Sequence, residues 1–238
     1  MINISNSSSL GTDYSGNGEN FTANNFTVSG TTGNALVLDT PTNNFPVLNP
    51  LNINPYASSG YPSATFGKGN TRFTTNTTSQ VNYAESSVYY PSTGKWYLEV
   101  VVNNLNIGSG VGYLQGLTLR SSTTGSRYLW WVYASPYYQI NTNNGLITIS
   151  SISNGDILQV AYDSDTGKAW YGKNNTWYFS GDPANGTAMS NPITMAGDDV
   201  RFLIQGRSGS AANIVDVNFG AGGFAYTPPS GFKSLASR

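Results

Sequence analysis

From Gly94 onward the chain repeatedly alternates apolar and other side chains with a period of two. Trp96, Leu98, Val100 and Val102 fall on one side of an extended segment, and Tyr97, Glu99 and Val101 on the other, because successive strand side chains point to opposite faces. This predicts a strand with one core face. Leu158, Val160 and Tyr162 repeat the pattern, as do Phe202 with Ile204 and Val215 with Val217 and Phe219, each run bounded by Gly, Asn or Asp. Asn144-Gly145, between the runs ending at Ile140 and beginning at Leu146, predicts a type I′ hairpin, since Asn and Gly tolerate the positive φ of that turn. No stretch sustains a helical period. Short strands at this spacing predict an all-β fold, an antiparallel β-sandwich over residues 94–238.

Residues 1–93 carry a different pattern. Asn, Thr, Ser and Gly dominate, and apolar residues come singly or in short clusters such as Ala35-Leu-Val-Leu38. Phe21, Phe26, Phe45, Tyr56, Tyr61, Phe66 and Phe73 are nevertheless too many large aromatics for a free linker. An extended, mostly irregular N-terminal arm is expected, lying on the sandwich or on a neighbouring subunit. At the other end, Pro228-Pro229 excludes a central strand, so the C-terminal segment should run along the surface and dock Phe232 and Leu235.

The chain of 238 residues is 38% hydrophobic and 13% aromatic, enough for a sizeable core. Charged residues make up 10%, against roughly 25% in an ordinary soluble domain, so neutral polar groups must do the solvating. A net charge of -1 offers no basic field to phosphates or anionic lipid, which argues against nucleic acid and membrane partners. The absence of cysteine removes disulfides and thiolate metal sites. The absence of histidine removes a Ser-His-Asp triad and His-bound zinc. The N-terminus shows neither an export signal nor a long apolar run, so neither is expected to be encoded here.

Several segments, taken together, resemble a known family. Gly94-Lys-Trp-Tyr-Leu-Glu-Val100, the hairpin from Gly155 to Trp177 with its Asp163-Ser-Asp-Thr-Gly-Lys168 centre, Ser180-Gly-Asp-Pro-Ala184, Asn218-Phe-Gly220 and Phe224-Ala-Tyr-Thr-Pro-Pro-Ser-Gly-Phe-Lys233 are similar to the SPRY-like domain of bacteriophage virion proteins. Upstream, Asp13 to Gly18, Asn24-Asn-Phe26 and Asp39 to Leu51 resemble the lead-in that precedes this domain. In longer relatives the lead-in follows a further sandwich, and here the chain starts almost at the lead-in, which predicts that this domain is absent. The resemblance implies a SPRY- or concanavalin-like jelly roll and a virion setting: a surface-displayed structural protein made in the host cytoplasm, in contact with other virion proteins. It further implies a homo-oligomer, for which a trimer suits a fibre. Such an architecture names no activity of its own.

Three sets of residues invite a chemical reading. Asp163 and Asp165, followed by Gly167, have the alternate carboxylates of a calcium loop, but the distal Glu is missing and a hairpin turn closed by Asp side chains is the preferred reading. Trp131, Tyr137 and Tyr138 belong to an aromatic cluster able to stack on sugar faces, though packing is the commoner use of such rings. Trp177 and Tyr178, in a turn-rich stretch, are the better candidates for an exposed ligand-binding loop. A glycosidase needs a carboxylate pair, and Glu19, Glu85 and Glu99 are the sole glutamates, none with a second carboxylate placed beside it by the sequence. The expectation is therefore a protein without catalytic residues or cofactor. It acts as a structural surface, with a host-glycan-binding adhesion module as the alternative and a polysaccharide depolymerase as the remote third.

Overall fold

The computed structural model describes residues 17–20, 22, 44–51, 64–76, 82–105, 113–121, 125–132, 137–142, 145–195, 199–207 and 211–236; from 113 to 146 it gives strand pairing, with Ile140 the one side chain described. Its strands are β1 Thr65–Gly67, β2 Arg72–Thr74, β3 Asn82–Glu85, β4 Lys95–Asn104, β5 Tyr113–Ser121, β6 Gly125–Val132, β7 Tyr137–Thr142 and β8 Gly145–Thr148. They continue as β9 Ile157–Asp163, β10 Lys168–Lys173, β11 Thr176–Trp177, β12 Ile193–Thr194, β13 Arg201–Arg207, β14 Ile214–Asn218 and β15 Lys233–Ser234. One sheet runs β1-β2-β14-β4-β9-β10-β11, with β12 added to β10 and β15 to β4, and the other runs β3-β13-β5-β6-β7-β8. The pairings are antiparallel except for β15 on β4. The architecture is thus an antiparallel β-sandwich, as the alternation predicts.

The predicted core face is where the sheets meet. Trp96, Leu98 and Val100 of β4 stand opposite Tyr162, Val160 and Leu158 of β9, and Val100 and Val102 stand opposite Val217 and Val215 of β14. All are buried. Phe202 of β13 meets Phe219 edge-to-face at 5.8 Å, and Tyr90 meets Tyr162 at 5.2 Å, so aromatic contacts close the space between the sheets. Burying each such Val, Leu or Phe contributes roughly 1.5–3 kcal/mol.

Two expectations are corrected. The chain ahead of Gly94 is not all arm: β1, β2 and β3 are integral strands, with β2 on β14 and β3 on β13. Leu48 is fully buried, and Val47 and Asn49 bond the backbone of Ser87 and Glu85, so this lead-in segment also packs on the sandwich. The hairpin β7-β8 forms, but its last pair is Thr142 with Gly145, which makes Gly145 the first residue of the returning strand. Residues 143–144 between them lie outside the described residues.

The first hairpin is held by charge as well as by Phe73. Asp216 of β14 stands opposite Arg72 of β2 and accepts from Arg72 Nε at 2.6 Å, Arg72 Nη2 at 2.8 Å and Lys68 Nζ at 2.9 Å. Burial alone would raise the Asp216 pKa, but the bonds from Arg72 and Lys68 outweigh it and hold this carboxyl below its ordinary value. A carboxyl whose folded-state pKa is lowered stabilises the fold above its unfolded pKa of roughly 4 and loses that contribution as pH falls through the folded value. Asp216→Asn is therefore expected to lower stability at pH 7 by roughly 1–3 kcal/mol and to flatten the acid limb of the stability curve, measured by urea unfolding between pH 7 and pH 2. An unchanged acid limb would show that the cluster contributes nothing.

Candidate functional site

The second face of the larger sheet does not meet water as alternation suggests. Tyr97 and Glu99 on β4 and Gln159, Ala161 and Asp163 on β9 are buried there. The cover comes from two distant pieces of chain. One is the loop after β11, and the other is the C-terminal segment that follows β14, in which Phe224 meets Tyr97 edge-to-face at 4.8 Å and Phe232 meets Trp170 at 6.0 Å.

Under this cover lies a hydrogen-bonded relay. Glu99 accepts from Tyr97 Oη at 2.8 Å, from the Ala225 N–H at 2.8 Å and from the Tyr226 N–H at 2.9 Å. Tyr97 Oη in turn accepts from Gln159 Nε2 at 2.8 Å, and Gln159 Oε1 accepts from the Asn175 N–H at 2.7 Å. Burial, together with the adjacent Glu99 charge, pushes the Tyr97 phenol well above its ordinary pKa and keeps it a donor. The relay thus links the C-terminal segment to the turn that carries Trp177.

That turn is Asn174-Asn175, with φ of 48° and 64° between the paired Lys173 and Thr176. Asn174 is fixed further by Ile157 N–H donating to its Oδ1 and by its Nδ2 donating to Asp156. Trp177 stands opposite Gly172, where any Cβ would lie 3.0 Å from the indole, so the glycine leaves the ring room against β10. The exposed loop expected here is accordingly a short strand. Trp177 is half-buried and meets Tyr97 at 6.4 Å, and Tyr178 is half-buried beside Phe179. The Tyr178 hydroxyl is enclosed near Ser150 without a hydrogen bond of good geometry, and burial pushes its pKa up to about 12. Phe179 and Ser180 both adopt left-handed backbone, at φ 54° and 56°, a conformation that costs about 1–3 kcal/mol for such residues. Bonds from the Ser190 N–H and Oγ to the Phe179 carbonyl hold it there.

The other sequence candidates fare differently. Asp163 Oδ1 accepts from the N–H groups of Asp165 and Thr166, its Oδ2 lies 3.7 Å from Lys95 Nζ, and Asp165 Oδ1 accepts from the Gly94 N–H. Asp163 therefore closes its own turn and Asp165 ties that turn to Gly94, and among the described residues no group of three or more acidic, His or Cys side chains is placed to hold a metal ion. Trp131 pairs with Tyr138 and Val132 with Tyr137 across β6 and β7, but the side chains of Trp131, Tyr137 and Tyr138 lie outside those described. Sequence reasoning missed Glu99, Gln159 and Phe224 as one cluster, because they meet across the fold. It also missed Tyr89, which is 51% exposed with the Arg201 guanidinium 4.6 Å from its ring centroid and bonded to both Tyr89 Oη and Glu85.

No family model matches this chain, and no curated protein matches it. Solved structures with similar strand arrangements include the SPRY domain of human HERC1, 14% identical over 72% of this chain and 96% of that one, with a TM-score of 0.44. They also include the stonustoxin structure, 10% identical over 72% of this chain and 28% of that one, at 0.44. A third is the catalytic domain of a glycoside hydrolase family 131 protein from Coprinopsis cinerea, 11% identical over 62% and 66%, at 0.40.

Removing a buried acceptor leaves its donors unsatisfied at about 1–3 kcal/mol each. Glu99→Ala is expected to cost at least about 3 kcal/mol in chemical denaturation, and Tyr97→Phe about 1 kcal/mol. Equal stability of Glu99→Ala and the parent would show that the relay does not hold the cover down.

Proposed function

We propose that this chain is a non-enzymatic structural component of a bacteriophage virion, displayed on the particle surface as a capsid decoration, head fibre or tail-fibre element. Its SPRY-like sandwich serves as the interaction surface. One observation carries this reading: the segments that resemble the phage family build β4, β9, β10, β11 and the C-terminal cover, which lie side by side as one face of the larger sheet. On that face Glu99, Asp163 and Asp216 each hold donors of their own, an arrangement suited to rigidity. Its partners are other virion proteins and further copies of itself in a closed symmetric assembly, a trimer in a fibre.

A second reading, adhesion to a host-surface glycan, draws on Trp177 at the end of β11 and on Tyr178 and Phe179 in the turn that follows it. Strained backbone held in place by surrounding bonds is a common feature of binding loops, and flat rings at a surface suit the apolar faces of sugars.

The primary test asks whether the chain, detected by mass spectrometry, is part of purified particles of the phage that encodes it, and whether antibody labels it on their exterior. Its absence from particles would sink the virion reading. On an array of bacterial surface glycans, saturable binding that falls at least about tenfold in Trp177→Ala would put adhesion first. No binding to any glycan leaves the structural role as the primary one.

A further inference from the structure

The C-terminal segment sits on the larger sheet as a peptide sits on a receptor. β14 pairs with β4 only from Glu99 to Asn104, which leaves the backbone edge at Trp96 and Tyr97 vacant, and β15 takes that edge as a parallel addition. Ahead of it, two consecutive N–H groups, those of Ala225 and Tyr226, sit on the Glu99 carboxylate. Phe224 and Phe232 fill separate places against Tyr97 and Trp170, Lys95 Nζ stands 5.7 Å over the Phe232 ring, and Leu235 is 2% exposed. Strand addition for affinity with spaced side-chain anchors for selectivity is how folded domains recognise extended peptides.

The link to β14 is short and rich in glycine. Gly220-Ala-Gly-Gly223 joins the two, with φ of 113° at Gly220 and 78° at Gly223. Its fold-back is held by the Gly223 N–H donating to the Gly220 carbonyl at 3.0 Å and by one side chain: Asn218 Nδ2 donates to the Gly223 carbonyl at 2.7 Å, and Asn218 Oδ1 accepts from the Gly220 N–H at 2.9 Å. Past Gly223 the segment's described bonds are those of Ala225 and Tyr226 to Glu99, the pairing of β15 with β4 and one internal bond from the Phe232 N–H to the Pro229 carbonyl, all of which a segment from another molecule could make in the same way.

From this we infer that residues 221–236 are an exchangeable ligand, and that the groove formed by Tyr97, Glu99, Trp170 and the free edge of β4 accepts the same segment from a second copy of the chain. Exchange of an identical element is a low-cost route to assembly, because the contacts made between copies are those already made within one. An emptied groove presents a carboxylate short of two donors and two uncovered ring edges. Its occupant is therefore an extended segment with paired free N–H groups and two phenylalanines eight residues apart, as Phe224 and Phe232 are. The inference depends on this geometry and is independent of a virion setting.

The test uses the full-length chain and a fluorescent synthetic peptide of residues 221–236. Phe224→Ala/Phe232→Ala weakens the resident segment and leaves the groove intact. The folded variant, checked by circular dichroism, is expected to bind the peptide saturably and at least about tenfold more tightly than the parent, whose own segment competes at high effective concentration. A peptide carrying Phe232→Ala should bind at least about tenfold more weakly. Should the double variant fail to fold, Ala225→Pro serves instead, because it removes one N–H donor at an exposed residue. A folded variant that ignores the peptide, or that binds parent and substituted peptides alike, overturns the inference. Neither outcome bears on particle incorporation or glycan binding.

Discussion

A carboxylate placed on the middle of a central strand and taken out of water must be hydrogen-bonded on all sides or its burial is prohibitively costly, and Glu99 of β4 is such a group at 1% exposure. Among the described residues no cation pairs with it. Its donors are a phenol on the same strand and two backbone N–H groups from the far end of the sequence. The C-terminal cover, the burial of Tyr97 and Gln159, and the seating of the Trp177 turn on Gln159 all follow from satisfying that one group.

Asp163 and Asp216 meet the same constraint by different means. Asp163 is answered chiefly by the N–H groups of its own turn, whereas Asp216 is answered by Arg72 and Lys68 of a hairpin distant in sequence. In a chain with 10% charged residues, these placements are costly enough to specify register. A slip of one residue between β2 and β14 would take Arg72 out of register with Asp216 and carry Phe73 to the wrong face.

What the sequence conveyed follows the reach of local signals. Trp96, Leu98 and Val100 announced their strand because an apolar period of two is written within a few residues, and the inner face of the larger sheet was legible for that reason. The outer face was not. Tyr97, Glu99 and Gln159 have the polarity of a solvated face, and the segment that covers Tyr97 and Glu99 lies more than a hundred residues further on, with no local mark of its destination. Strands β1, β2 and β3 were hidden because three or four residues hold too little alternation to separate them from an irregular arm. At Trp177 the Asn-Asn turn was readable, but the two-residue strand after it depends on Gly172 across the hairpin.

The position of β14 between β2 and β4 also governs when the sheet can form. Arg72 reaches a partner 144 residues later, and β4 finds its neighbour on that side only after most of the chain has been made. Closing such loops is slow, so a sandwich wired in this way is expected to fold on the millisecond-to-second scale, with its first hairpin waiting for a neighbour. During synthesis the first hairpin has no sheet to join until β14 leaves the ribosome. The last fifth of the sequence therefore decides whether the first hairpin joins a sheet at all.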